Sequence, residues 1–192
     1  MRRVIKSLVL TGAIALVSAP IQARADGFIT PWVGSAFGSN IQNGQTTVGV
    51  SAGGMGAGIV GGEFDFGYSP SFFGDQSDFG HNTVIDAMAN LIIGVPVGGT
   101  HGPGIRPYVV GGVGLLRTQI DGGTLAKVSS SDNMFAWDAG GGVMGYFSDH
   151  IGLRGDIRYL RGFSNVTTNV PSIDLNGDQL HFWRASIGVV FR

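Results

Sequence analysis

The 192-residue chain carries 12 Lys and Arg against 13 Asp and Glu, and this mildly acidic balance without a basic run argues against a nucleic-acid partner. It has no cysteine, which excludes a disulfide framework and a thiolate metal site. Glycine makes up 34 residues, against a usual share of about 7%, and sits inside apolar segments such as 111–114 and 140–142 with no Gly-x-y period, so collagen is excluded and helices are disfavoured.

In chain order, residues 1–25 read as a secretory signal peptide. Arg2, Arg3 and Lys6 form a positive start, residues 8–17 an apolar stretch, and Ala23-Arg24-Ala25 a small-x-small cleavage site. A retained anchor would need a longer apolar run, of about 20 residues. Cleavage is expected between Ala25 and Asp26, leaving residues 26–192 as one domain with 8 basic and 13 acidic residues, a net charge of −5.

Eight strands are expected, at 27–37, 46–54, 58–68, 83–95, 105–119, 134–147, 151–163 and 179–191. Most exceed the soluble mode of about 5–6 residues and suit tilted membrane strands, which need about 9–11 in hydrocarbon. The connections alternate: long polar loops (38–45, 69–82, 120–133, 164–178) at one end, short turns (55–57, 148–150) at the other. Outer-membrane barrels are built this way. The connection 96–104 is long for the short-turn end.

Successive side chains of a strand point to opposite faces. In "GLRGDIRYLRG" (152–162), Arg154, Asp156 and Arg158 therefore share one face, and Leu153, Ile157 and Tyr159 the other. The same division recurs along the chain. Glu63 and Asp65 oppose Phe64, Phe66 and Tyr68; Asp86 and Asn90 oppose Ala87, Ala89, Leu91 and Ile93. Arg106 and Tyr108 oppose Val109, Val113 and Leu115; Asp138 opposes Phe135, Trp137 and Val143; Arg184 opposes Trp183, Ala185 and Ile187. The first two strands are less decided. A soluble lipid-binding barrel would bury the apolar face, whereas a membrane barrel turns it to lipid. Glycines on the charged face and aromatics toward strand ends favour the membrane. The expected fold is all-β: an eight-stranded antiparallel up-and-down transmembrane barrel.

At these residues, "GGEFDFGYSP", "IRPYVVGGVGLL" and "GYFSDHIGLRGDIRYLRG", the chain resembles the OmpA/OmpX-type outer-membrane β-barrel domain family. The resemblance covers essentially all of 26–192 and is specific for fold rather than activity. It implies a Gram-negative outer membrane and insertion by the barrel-assembly machinery. That machinery reads an aromatic at the end of the last strand; here Phe191 is followed by Arg192, a departure from the pattern. No peptidoglycan-binding domain is expected after the barrel.

The expected lumen holds Glu63, Asp65, Asp86, Asp138 and Asp156 against Arg106, Arg154, Arg158 and Arg184, a nearly balanced set. Buried charges persist when paired, so a plugged lumen is the first expectation and a narrow small-solute channel the alternative. Arg117 and Arg161 fall on the lipid side near the loop ends. Two readings stay open for them: contact with lipopolysaccharide phosphates, or snorkelling into water. His81, His101, His150 and His181 lie in connections or at strand ends without metal-like clustering. Asp75, Ser77, Asp78 and His81 share a loop but lack the constellation of a triad. The expectation is thus a structural or surface-interaction protein, not an enzyme, with no cofactor or metal, in contact with outer-membrane lipid and lipopolysaccharide. The loops 69–82, 120–133 and 164–178 are its expected recognition surface.

Overall fold

In the computed structural model, residues 25–38, 44–70, 72, 81–99, 102–121, 129–165 and 179–192 are described. The signal segment 1–24 and the inner parts of the long loops lie outside them. Among the described residues there are eight strands: β1 (Ala25–Phe37), β2 (Gln45–Gly56), β3 (Val60–Pro70), β4 (His81–Gly94), β5 (Gly104–Asp121), β6 (Ser129–Tyr146), β7 (Ile151–Asn165) and β8 (Gln179–Phe191). Each pairs antiparallel with the next, and β8 pairs with β1 to close the barrel. Among the described residues no helix is long and apolar enough to cross a membrane.

Every strand end but the start of β6 lies within two residues of the sequence-based expectation, and three departures have a local reason. β6 begins at Ser129 rather than 134, because its ladder with β5 runs on to the pair Asp121↔Ser129. Cross-strand pairing extends the strand over 129–132, a polar sequence with no apolar alternation to signal it. The β2–β3 turn occupies Ala57, Gly58 and Ile59 rather than 55–57. Met55 is buried inside the barrel and continues β2, and the chain reverses where Ala57 and Gly58 take φ of 50° and 69°. The long connection after β4 is largely a continued hairpin. The Val95 N–H donates to the Pro107 carbonyl (2.9 Å), and Val97 and Ile105 exchange bonds of 2.8 and 3.0 Å. Among the described residues beyond that pairing, Gly98, Gly99 and Gly102 take positive φ.

Inside and outside alternate along each strand; in β3, Glu63, Asp65, Gly67 and Ser69 are buried while Phe64, Phe66 and Tyr68 are exposed. The lumen is stratified. Toward the loop end, Val84, Met88, Leu116, Met134, Leu160 and Phe182 form one apolar layer; toward the short-turn end, Phe28, Met55, Ile92, Val110, Met144 and Val190 belong to another. Polar residues occupy the level between. The inward face therefore carries more apolar residues than charge alternation alone suggests. An eight-stranded barrel is filled by its own side chains, and apolar groups fill it without needing hydrogen-bond partners.

Candidate functional site

The middle of the lumen holds a network of ion pairs built mainly from β3, β4, β6, β7 and β8. Arg158 is its hub. Its Nε donates to Asp156 Oδ1 (2.7 Å), Nη2 to Glu63 Oε1 (2.7 Å) and Nη1 to Asp138 Oδ2 (3.4 Å), with Asp65 at 3.8 Å. Four residues earlier and on the same face, Arg154 donates from Nη1 to Glu63 Oε2 (2.5 Å), from Nη2 to Asp156 Oδ2 (3.3 Å) and from Nε to the Tyr108 hydroxyl (2.6 Å). The Tyr108 hydroxyl in turn donates to Asp156. Arg184, from β8, donates to Asp86 Oδ1 (2.8 Å) and to Asp65, and its guanidinium lies 4.3 Å from the centre of the Trp32 ring.

Neutral groups complete the set. Asp65 Oδ1 accepts from Ser51 Oγ (2.6 Å) and from Trp32 Nε1 (3.1 Å). With its amide turned to suit its neighbours, Asn90 donates to Asp138 Oδ1 and accepts from Arg158 Nη1, each at 2.8 Å. The charged members are all buried. Glycines make the room: a Cβ on Gly140 would stand 2.9 Å from Arg158 Cγ, and one on Gly67 would stand 2.8 Å from Arg184 Nη1. The interstice bounded by Thr30, Trp32, Ser51, Asp65, Arg158 and Arg184 is too tight for a water molecule. Charges in such a space interact strongly, and each carries a large desolvation cost that only its partners offset.

The structure thus brings together Glu63, Asp65, Asp86, Asp138, Arg154, Asp156, Arg158 and Arg184. It does not bring Arg106 to them. Arg106 is buried in the barrel but lies near the short turns, 3.7 Å from Asp26 and with its guanidinium 5.4 Å from the Tyr146 ring centre. Arg192 joins that second group, 3.7 Å from Asp26 and 4.5 Å from the same ring. The physical reason is position along β5: Arg106 precedes Tyr108 by one inward step and so falls below the network. Among the eight central ionic residues, five carboxylates then face three guanidiniums.

Sequence reasoning missed Trp32 and Ser51 as partners, because β1 and β2 carry apolar residues on both faces. It also missed the contact of Arg192 with Asp26, where no spacing links residues so far apart in the chain. Within the loop 69–82, expected as recognition surface, the described Phe72 lies inside the barrel. Phe72 is fully buried and packs edge-on against Phe182, with ring centres 4.9 Å apart. An apolar ring is more stable in the apolar upper layer than in water. The rest of that loop's polar cluster, Asp75, Ser77 and Asp78, lies outside the described residues. Among the described residues, no group of three or more His, Cys, Asp or Glu is placed to hold a metal ion.

Arg117 and Arg161 are exposed on the outward face. Arg117 stands opposite Ile85 and Asn133, and Arg161 opposite Trp137 and His181. Around and below them the outward face is apolar, with Phe64 at 55% exposure, Leu91 at 56%, Val109 at 60% and Ile187 at 58%. Large apolar side chains do not ring a water-soluble protein in a continuous belt.

A closed barrel with apolar residues outward and paired charges inward is the architecture of a transmembrane β-barrel. The chain belongs to the outer membrane protein β-barrel domain family, whose model matches residues 9–192. Solved structures share the fold at low identity. Neisserial surface protein A superposes with a TM-score of 0.63 at 15% identity, covering 86% of this chain and 96% of that one. The N-terminal β-barrel domain of OprF from Pseudomonas aeruginosa gives 0.56 at 16% identity, covering 88% and 98%. Ail, the attachment invasion locus protein of Yersinia pestis, solved in complex with the heparin analogue sucrose octasulfate, gives 0.51 at 11% identity, covering 86% and 97%. No curated protein matches the sequence.

Proposed function

We propose that this protein is a closed outer-membrane scaffold that presents its long loops at the cell surface and contacts lipopolysaccharide through Arg117 and Arg161. It is neither an enzyme nor a solute channel in this reading. Export uses a signal peptide removed before Asp26, and the barrel-assembly machinery inserts the chain. The observation that carries the reading is the packed middle of the lumen: a network of paired, buried charges between two apolar layers, with the interstice beside Asp65, Arg158 and Arg184 too tight for water. A solute path would need that network to part, leaving charges unpaired at a cost of several kcal/mol. The apolar outward belt supports a membrane protein over a soluble lipid-binding barrel, whose ligand site would be an open apolar interior.

Conductance tests the choice between scaffold and channel. The refolded protein in planar bilayers is expected to give no discrete current steps in physiological salt. Reproducible single-channel steps from the intact barrel would overturn the scaffold reading.

A further inference from the structure

The outward face holds a cluster of rings that the filled lumen does not explain. Tyr159 is its centre, with ring-centre distances of 5.2 Å to Trp183, 5.6 Å to Trp137 and 6.0 Å to His181. These residues come from β6, β7 and β8. Strand register assembles them: Tyr159 pairs with Trp183 and Ala139, and Arg161, one outward step nearer the loops, pairs with His181 and Trp137. Below Trp137, the outward positions of β6 are Ala139 and Gly141, and Ala139 pairs with Gly111 of β5. Set between larger side chains, these three small residues leave a low stretch of the outward surface, a trough by residue size. Val109 and Val113 wall it on β5, and Ile157 and Tyr159 on β7.

Among the strand side chains described, the outward charge near the loops is guanidinium. Among the side chains described, every strand carboxylate (Asp26, Glu63, Asp65, Asp86, Asp138 and Asp156) occupies an inward position, whereas Arg117 and Arg161 point outward. From the loop end toward the membrane centre, the surface therefore offers a guanidinium, then amphipathic rings, then an apolar trough. That order matches one class of molecule. A guanidinium binds phosphate, aromatic rings with polar edges lie at the level of headgroups, and the C–H faces of sugars stack on such rings. An acyl chain fits an apolar channel in the hydrocarbon.

We propose that the outward surface of β6–β8 around Tyr159 is a binding subsite for one phosphorylated, acylated glycolipid of the outer leaflet. Arg161 holds a phosphate, the Tyr159 ring cluster holds the sugar, and the trough of Gly111, Ala139 and Gly141 holds an acyl chain. The inference rests on the lipopolysaccharide-contact reading above and places that contact at Arg161 and the rings rather than evenly over the outward arginines.

The test uses the full barrel refolded in dodecylphosphocholine micelles doped with purified lipid A or, as an anionic control, phosphatidylglycerol. Lipid retained per barrel is measured after size-exclusion chromatography. The expected result is selective retention of lipid A, weakened about tenfold in Arg161→Gln, the scale of one lost phosphate contact. Ala139→Leu fills the trough and is expected to weaken retention similarly. Tyr159→Ala weakens it, and Tyr159→Phe, which keeps the ring, restores it. An unchanged gel shift on boiling certifies that each variant is folded. If the wild-type barrel retains no lipid A, the lipopolysaccharide reading itself falls. If lipid A is retained but only Arg117→Gln releases it, contact stands and this subsite is overturned. Equal retention of phosphatidylglycerol would overturn it too, marking a generic anionic surface.

Discussion

Arg158 shows what a single buried side chain does in this barrel. Its guanidinium faces Asp156, Glu63, Asp138 and Asp65 at once. Truncation would leave four buried carboxylates short of a partner. Arg158→Ala is expected to lower stability by about 3–5 kcal/mol, the scale for breaking a buried ion pair. Urea titration of the folded, micelle-bound barrel reads this directly. Arg158→Lys is expected to recover only a minor part, because a lysine ammonium cannot reproduce the planar fork that serves several carboxylates. A loss below about 1 kcal/mol for the alanine variant would mean the network is solvated and the lumen looser than its geometry implies.

At the scale of elements, the seam between β1 and β8 is the place to probe. In an up-and-down barrel this pairing joins the strands farthest apart in sequence, so its closure is entropically the most demanding. Its register includes Ile29↔Phe191 and then resumes at Trp32↔Gly188. Pro31 stands in the gap and has no N–H to donate. Just beyond Phe191, Arg192 reaches back across the seam. Its backbone N–H donates to the His150 carbonyl (2.9 Å), Nε donates to the Asp149 carbonyl (3.1 Å), and its guanidinium lies 3.7 Å from Asp26 on β1. Arg192 and Arg106 both approach the ring of Tyr146, so β1, β5, β6 and β8 meet at one point. Arg192→Ala is expected to cost about 1–2 kcal/mol through the lost cation–π and ion-pair contacts. The readout is a lower temperature at which the unboiled protein loses its compact gel band. Asp26→Asn should shift that temperature the same way by less, since the ring contact survives.

For the whole molecule, the choice of inside and outside is the decisive property, and the chain's three tryptophans report it. Trp32 is buried in the lumen at 8% exposure, while Trp183 lies outward at 42%. In bilayers of lipid brominated along the acyl chain, Trp183 and Trp137 are expected to be strongly quenched. A variant retaining only Trp32 should keep most of its emission. Strong quenching of Trp32 would reverse the faces. Much of this arrangement is legible in the sequence, because a strand has a period of two and a membrane separates apolar from charged residues by that period. Hence the eight strands, their order and the inward position of residues such as Glu63, Asp86 and Arg154 follow from alternation. Alternation is also local: it says which face a side chain is on, but neither its height in the barrel nor its neighbour across the lumen. So Arg106 looks like Arg154 in sequence, and only the closed, tilted register sends one to Asp26 and the other to Glu63. Trp32, Arg192 and Phe72 are likewise placed by contacts across the lumen, the seam and the mouth, which exist only once β8 meets β1.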